Sequence, residues 1–356
     1  MLNKYVSSVI LAAVASGSLH GARSLAAPAG SKPTLDAVRA AWRSREKAVR
    51  SARFEWTGTL TYDRYAQPFD GIPGRARIAL SSKKRYSLAL DGPKLRYTWS
   101  GMEEASRRDK RLVWIDQTYT EVFTTEEHVS HFAKTTPVEP SAAPSVGFIS
   151  LPGSEIPSKN NYNRDPLLMH YRALDPKFSN IEGDLTLTDG SGVVDGRRCL
   201  IVVDRGQAKT EYWVDPQRDY SIVRIRRYGT FRPDKCLEEN EISYKSDARF
   251  GWTPAGWRGY AVDADSGQPA DKWDYTLISY AINPRVDPSE FRYQFPPGTW
   301  VVDRRTKSLV QYIVREGGKK RMITDAESGA AYEDLLRTES GGAVPRKTDG
   351  VHESKK

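Results

Sequence analysis

The chain has 356 residues, nine Trp, eighteen Tyr, ten Phe and a formal charge of +9, enough for one large domain or two small ones. With Cys199 and Cys236 as its only cysteines, it cannot build the usual four-ligand structural zinc site without histidine. The positive charge is spread along the chain; it suits anionic surfaces such as lipid headgroups, and a generally basic proteome accounts for it equally.

The first thirty residues place Lys4 before an apolar run from Tyr5 to about Leu19, then a small-x-small signature at Ala27-Pro28-Ala29. This is the layout of a secretory signal peptide over residues 1–29, too short and too broken by Ser and Gly for a membrane span. No Cys follows the run, which argues against a lipid anchor and for a soluble, exported, periplasmic protein. Losing Lys4 and Arg23 with the leader lowers the formal charge from +9 to +7.

The rest of the chain is expected to form one domain over residues 30–323. Residues 32–52 read as one amphipathic helix. Pro33-Thr34 starts it, and Leu35, Val38, Trp42 and Val49 recur at helical spacing with Ala41 and Ala48 between them. The period then changes to two. Phe54, Trp56, Leu60 and Tyr62 form one strand face, followed by Ala76-Ile78-Leu80, Tyr86-Leu88-Leu90 and Leu95-Tyr97-Trp99. Two short strands are predicted between Arg111 and Phe123, with a turn at Asp116-Gln117. Thr124 to Phe132 reads as a short helix, and residues 133–164 as a long Pro-rich loop of the kind that is functional or mobile. Asp165 to Tyr171 reads as a short helix with Pro166 at its first position.

Strands resume over 185–188, 199–203, 211–214, 221–228, 237–244, 256–262 and 273–282. Nothing alternates strand with helix, so a parallel sheet is not expected. Roughly eleven strands are too many for a flat open sheet, and a curved or barrel-like sheet resolves this. Residues 324–356 lack a core pattern and are expected to be mostly disordered.

Catalytic signatures are weak. Asp189 to Gly196 carries glycines between two strands, which fits a hairpin connection rather than a phosphate loop. His128 and His131, beside Glu126 and Glu127, would share a face on a helix, but no third ligand stands out, so no metal is assigned. No G-x-S-x-G elbow is present, and the adjacent carboxylates Glu238 and Glu239 face opposite sides of a strand. Arg224-Ile225-Arg226-Arg227-Tyr228 is an alternating strand rather than a nucleic-acid motif in an exported chain. Cys199 and Cys236 form one disulfide or remain two thiols. The positive signal is aromatic: Phe54, Trp56, Tyr97, Trp99, Trp114 and Tyr275 either line an apolar ligand cavity or fill an ordinary β core.

The order of elements resembles the LolA/LolB-like superfamily of periplasmic lipoprotein carriers, and more closely its planctomycete-type LolA-like homologues. The resemblance rests on Ala37 to Trp42 running into Ala52-Arg53-Phe54, on Glu211-Tyr212-Trp213-Val214-Asp215-Pro216, and on Asn283 to Pro288 through Phe295 to Thr299 and on to Asp303. It covers about residues 34–303. It implies a mainly β fold, a half-open antiparallel barrel whose lid helix presents Leu35, Val38 and Trp42 to a hydrophobic cavity. It also implies a non-enzymatic carrier or binding protein for lipid or lipoprotein acyl chains, peripheral membrane contact included, with no cofactor. The alternative within the superfamily is an RseB-like sensor that reads a lipid signal and binds a membrane protein. A third reading, an exported hydrolase, would draw on His128, His131 or His170.

Overall fold

The computed structural model describes residues 33–62, 80–106, 112–135, 142–152, 163–179, 181, 184–206, 208–230, 232–262 and 269–337. The leader expected over 1–29, the strand expected at Ala76 and Ile78, and the end of the tail beyond 337 lie outside them.

The helix α1 spans Leu35–Ala48. Thr34 accepts a hydrogen bond from the Ala37 N–H at its start, and Val38 and Trp42 are buried on the face that the sequence periodicity picks out. The strands β1 (Ser51–Tyr62), β2 (Leu80–Asp91), β3 (Lys94–Ser106) and β4 (Leu112–Phe123) follow as an antiparallel meander. β4 runs straight through Asp116-Gln117, where a turn was expected. β5 (His128–Lys134) and β6 (Ser145–Ser150) continue the sheet.

Two expectations are corrected here. Thr124-Thr125-Glu126-Glu127 looks like a helix start, yet Thr124 Oγ1 accepts the Glu126 and Glu127 N–H groups inside the β4–β5 turn. The same residue type that caps a helix also closes a turn. And β6 lies within the segment 133–164 that was expected to be a loop.

α2 spans Asp165–Tyr171, with every residue buried. The second meander is β7 (Leu185–Val194), β8 (Arg197–Arg205), β9 (Lys209–Asp215), β10 (Ser221–Tyr228), β11 (Cys236–Asp247), β12 (Gly251–Val262) and β13 (Pro269–Ile282). β7 and β8 are joined at Asp195-Gly196, both at positive φ (49° and 74°). A two-residue hairpin turn of this hand requires that, and Asp-Gly supplies it. β14 (Trp300–Asp303), β15 (Val310–Val314), β16 (Lys320–Met322) and α3 (Tyr332–Arg337) complete the described residues.

The fold is mainly β, and among the described residues the strands form one open, unclosed sheet of sixteen in the order β16-β15-β14-β6-β5-β4-β3-β2-β1-β13-β12-β11-β10-β9-β8-β7. The count corrects the roughly eleven expected: β5, β6 and β14–β16 are short or lie beyond the clear period-two runs. Every pairing is antiparallel except β14 against β6. The tail expected to be disordered from Thr324 is folded at its start: Thr324 and Glu327 form a reciprocal capping box, Arg321 pairs with Glu327, and Tyr332 and Leu335 are buried.

β4 and β10 are seven strand positions apart in this order, a separation of about 34 Å were the sheet flat. Yet the consecutive residues Arg164 and Asp165 reach Glu121 on β4 and Arg227 on β10 respectively. Adjacent Cα atoms lie only about 3.8 Å apart. The sheet must therefore curl around α2, and its inner face is a trough. The main core confirms this: Phe54, Trp56, Tyr86, Leu88, Tyr97, Tyr212, Ile225, Trp257 and Tyr275, drawn from both meanders, form one cluster with α1 and α2. A second cluster on the outer face packs Val122, Val129 and Ile149 beneath Phe291, Val301 and Tyr312.

Candidate ligand-binding face

α1 and α2 sit on the inner face as one unit. Arg45 of α1 donates to the carbonyls of His170 and Asp219, and Arg172, just past α2, donates to those of Val49 and Arg50. The Trp42 indole donates to the Tyr220 carbonyl at 2.8 Å. At the far end of α1 the Asn283 side chain bonds the Ala48 carbonyl and accepts the Arg50 and Ser51 N–H groups, locking the helix to β1.

Beneath the helices lies a stack of rings. Trp56 stacks on Tyr86 with centroids 5.4 Å apart, Trp257 stacks on Tyr275 at 5.3 Å, and Phe54 stacks on Tyr171 of α2 at 5.2 Å. Tyr275 lies over Gly58, where a Cβ would fall 2.0 Å from the ring; only glycine lets it lie flat on β1. Phe54, Trp56, Tyr97 and Tyr275 are each at most 1% exposed. They fill the covered part of the trough.

The trough continues beyond the helices. Tyr97 meets Tyr119 edge-on at 6.2 Å, Trp99 lies 6.1 Å from Tyr119, Tyr119 4.6 Å from Phe132, and Phe132 6.4 Å from Phe148. Trp99, Tyr119, Phe132 and Phe148 come from β3, β4, β5 and β6 in turn and are half-buried. Sequence reading picked out only Trp99 of these four. The others lie in strands whose inner face could be assigned only once the register was known. Trp114, in contrast, shares parity with Val122 on β4, which packs in the outer cluster. It is on the opposite face from Tyr119 and Phe123, a correction to its expected place in the cavity wall. Of the lid-helix residues, Val38 and Trp42 are fully covered and Leu35 packs at the margin of the same cluster.

A buried polar layer divides the covered part from the half-open part. Arg164, 1% exposed, pairs with Glu121 and lies 4.8 Å from the Tyr97 ring. His128 Nε2 donates to Glu121 at 2.8 Å. Burial works against the Glu121 charge, but Arg164 and the His128 hydrogen bond outweigh it and bring its pKa down to about 2. On the other side of α2, Arg227 binds both Asp165 and Glu238. Burial is the dominant influence on Asp165 and lifts its pKa to about 7, against the pull of Arg227 and with Glu238 adding to the rise.

Because the folded state favours the protonated Asp165, its contribution to stability is complete below about pH 4 and fades as the pH rises towards 7. Asp165→Asn should therefore flatten the pH dependence in that window. The stability of the native chain relative to the variant should fall between pH 4 and 7 in urea titrations; a constant difference would contradict the assignment.

The histidines do not converge. His128 faces inward, while His131, three residues on, faces outward, donating and accepting with Tyr293 and Ser145 at 2.5 and 2.7 Å. Odd spacing on a strand separates the two, where a helix would have brought them together. Burial lowers the His131 pKa to about 4 and pushes that of His170, enclosed between Tyr171 and Tyr244, well below its usual range. Among the described residues no three metal-ligating side chains meet.

Cys199 and Cys236 are free thiols. Their strands β8 and β11 are three positions apart in the sheet, about 14 Å, twice the reach of a disulfide, so the disulfide alternative is set aside. The basic strand β10 alternates as read: Arg224 and Arg226 face outward against the Trp213 ring, at 4.8 and 4.9 Å, paired with Glu241 and Glu239. Arg227 alone turns inward.

No family model and no curated protein matches the sequence. Among solved structures the chain is similar to MucB in complex with MucA(peri), at 9% identity and a TM-score of 0.17, covering 73% of this chain and 60% of that one. It is also similar to a LolA superfamily protein from Nitrosomonas europaea, at 10% identity and a TM-score of 0.39, over 72% of this chain and 97% of that one.

Proposed function

We propose that the protein is an exported, periplasmic carrier or binding protein for a hydrophobic ligand, a lipid or the acyl chains of a lipoprotein, held in the trough of a half-open barrel. The export part of the reading rests on the leader-like first thirty residues. The ligand part rests on one observation: the inner aromatic face continues as the half-buried series Trp99, Tyr119, Phe132 and Phe148. A sheet that needed only a core would place its rings under α1 and α2 and end there. Here a band of rings runs on from the covered part across β3, β4, β5 and β6. An acyl chain laid along it loses water contact at about 0.8 kcal/mol per CH₂, so even a partly covered chain binds usefully.

Mass spectrometry of the protein purified from its own host should find bound lipid, and a fluorescent acyl probe should bind saturably. Phe132→Asp, which places a charge in the middle of the series, should weaken that probe at least about tenfold while the far-ultraviolet spectrum stays native. Absence of both bound lipid and probe uptake would sink the reading.

A further inference from the structure

Where the covered and half-open parts of the trough meet, three buried hydrogen-bond donors have no acceptor among the described residues: Trp56 Nε1, Tyr97 OH and Arg164 Nε. All three residues are at most 1% exposed. They belong to one contact group, with the Trp56 and Tyr97 rings stacked at 6.2 Å and the Arg164 guanidinium 4.8 Å from the Tyr97 ring. Buried donors are almost always satisfied in folded proteins, and leaving one unpaired is costly. Three in one group, on β1, β3 and the entry to α2, are a donor set in search of an acceptor. Two of them cannot change role: an indole N–H and a guanidinium N–H only donate. Burial holds the Tyr97 phenol well above its usual range, so it too keeps its proton.

The charge around them selects the acceptor. Arg164 is already paired with Glu121, which remains ionised and is also held by His128. A carboxylate brought to this group would stand beside a second buried anion, which is unfavourable. A neutral carbonyl oxygen accepts two hydrogen bonds and adds no charge.

We propose that Trp56, Tyr97 and Arg164 form a carbonyl-reading site, which selects acyl esters or amides over ethers, free fatty acids and plain hydrocarbon of the same length. The proposal rests on the apolar-ligand reading above and sharpens it. The apolar tail lies along Trp99, Tyr119, Phe132 and Phe148, and the first carbonyl of the acyl chain receives the donors at the end of that series, next to Tyr97.

The test compares palmitoylglycerol, an ester, with hexadecylglycerol, the ether that differs from it by one carbonyl, using the full chain and calorimetric titration. Palmitoylethanolamide and palmitate serve as the amide and carboxylate arms. The ester and the amide should bind about tenfold more tightly than the ether, and palmitate no better than the ether. Tyr97→Phe deletes a hydroxyl that has no hydrogen-bond partner among the described residues, so it should fold as the native chain does, and it should reduce the ester-to-ether ratio to about threefold. Trp56→Phe should act in the same direction. With a ¹³C-labelled ester, the infrared carbonyl band should shift to lower frequency on binding and move back in Tyr97→Phe. Equal affinity for ester and ether, or a ratio untouched by Tyr97→Phe, overturns the carbonyl site and leaves the apolar-ligand reading standing. Failure of all four compounds to bind overturns both.

Discussion

Glu121→Leu should destabilise the protein by about 3–5 kcal/mol, more than any other single change in the inner polar layer. The Glu121 carboxylate is the partner of the Arg164 guanidinium, and both are almost fully buried. Removing the acid leaves a cation in the trough with the Tyr97 ring as its neighbour at 4.8 Å. A ring face offsets only a small part of that cost. His128, whose Nε2 hydrogen bond also ends on Glu121, loses its acceptor at the same time.

The double variant Glu121→Leu/Arg164→Met should recover most of the loss, because a buried ion pair is often replaced by apolar side chains without net penalty. Chemical denaturation of the two single variants and the double variant measures this directly. Equal losses in Glu121→Leu and in the double variant would show that the pair contributes through something other than mutual neutralisation. Acid should reproduce part of the effect. Glu121 titrates near 2 in the folded chain, below the ordinary carboxylate value near 4.3. Its stabilisation is therefore complete above that ordinary value and is lost as the pH falls towards 2. His131 adds to the loss on the acid side, since its folded pKa of about 4 lies below that of a free imidazole. Asp165 works in the opposite sense.

The residues that make this layer explain why so little of it could be read in advance. α1 and α2 were legible because each is a local pattern: Val38 and Trp42 at helical spacing, and Pro166 at the first position of a short apolar run. Strand β10 was legible from Ser221 to Tyr228 for the same reason. Arg164 gave no signal of its own, standing before a short helix in a Pro- and Asn-rich stretch, and its partner lies 43 residues away. The pairing follows from sheet curvature, a sum of small twists over many strands that no window of sequence contains. Trp114 failed for a related reason. Its strand was expected to be two short pieces, and a strand split in the wrong place carries no reliable parity from one end to the other. The aromatic face as a whole was visible because rings are frequent in the sequence; which rings are covered and which stay half-open depends on where α1 and α2 end.

Trp42→Ala should cost about 3–5 kcal/mol, and the loss should be concentrated in α1. The helix has fourteen residues, a length at which an isolated helix is marginal in water. It therefore depends on docking, and Trp42, 1% exposed with its indole on the Tyr220 carbonyl, is the largest side chain it buries. Truncation removes that ring and leaves the Tyr220 carbonyl facing a cavity. Leu35 and Val38 are too small to hold the helix alone, and the Arg45 contacts to His170 and Asp219 tie α1 to α2 and to the β9–β10 turn rather than to the floor of the trough. Hydrogen exchange should therefore show the α1 amides speeding up much more than those of β1 to β3, which retain both neighbours in the sheet. If α1 covers a binding trough, acyl-probe association should quicken in the same variant, because the covered rings Phe54, Trp56 and Tyr275 become accessible when the helix detaches. Uniform exchange across α1 and the sheet would instead mean that helix and trough open only together. In that case a ligand would have to enter along the half-open side, past Phe148, Phe132 and Tyr119, without displacing α1.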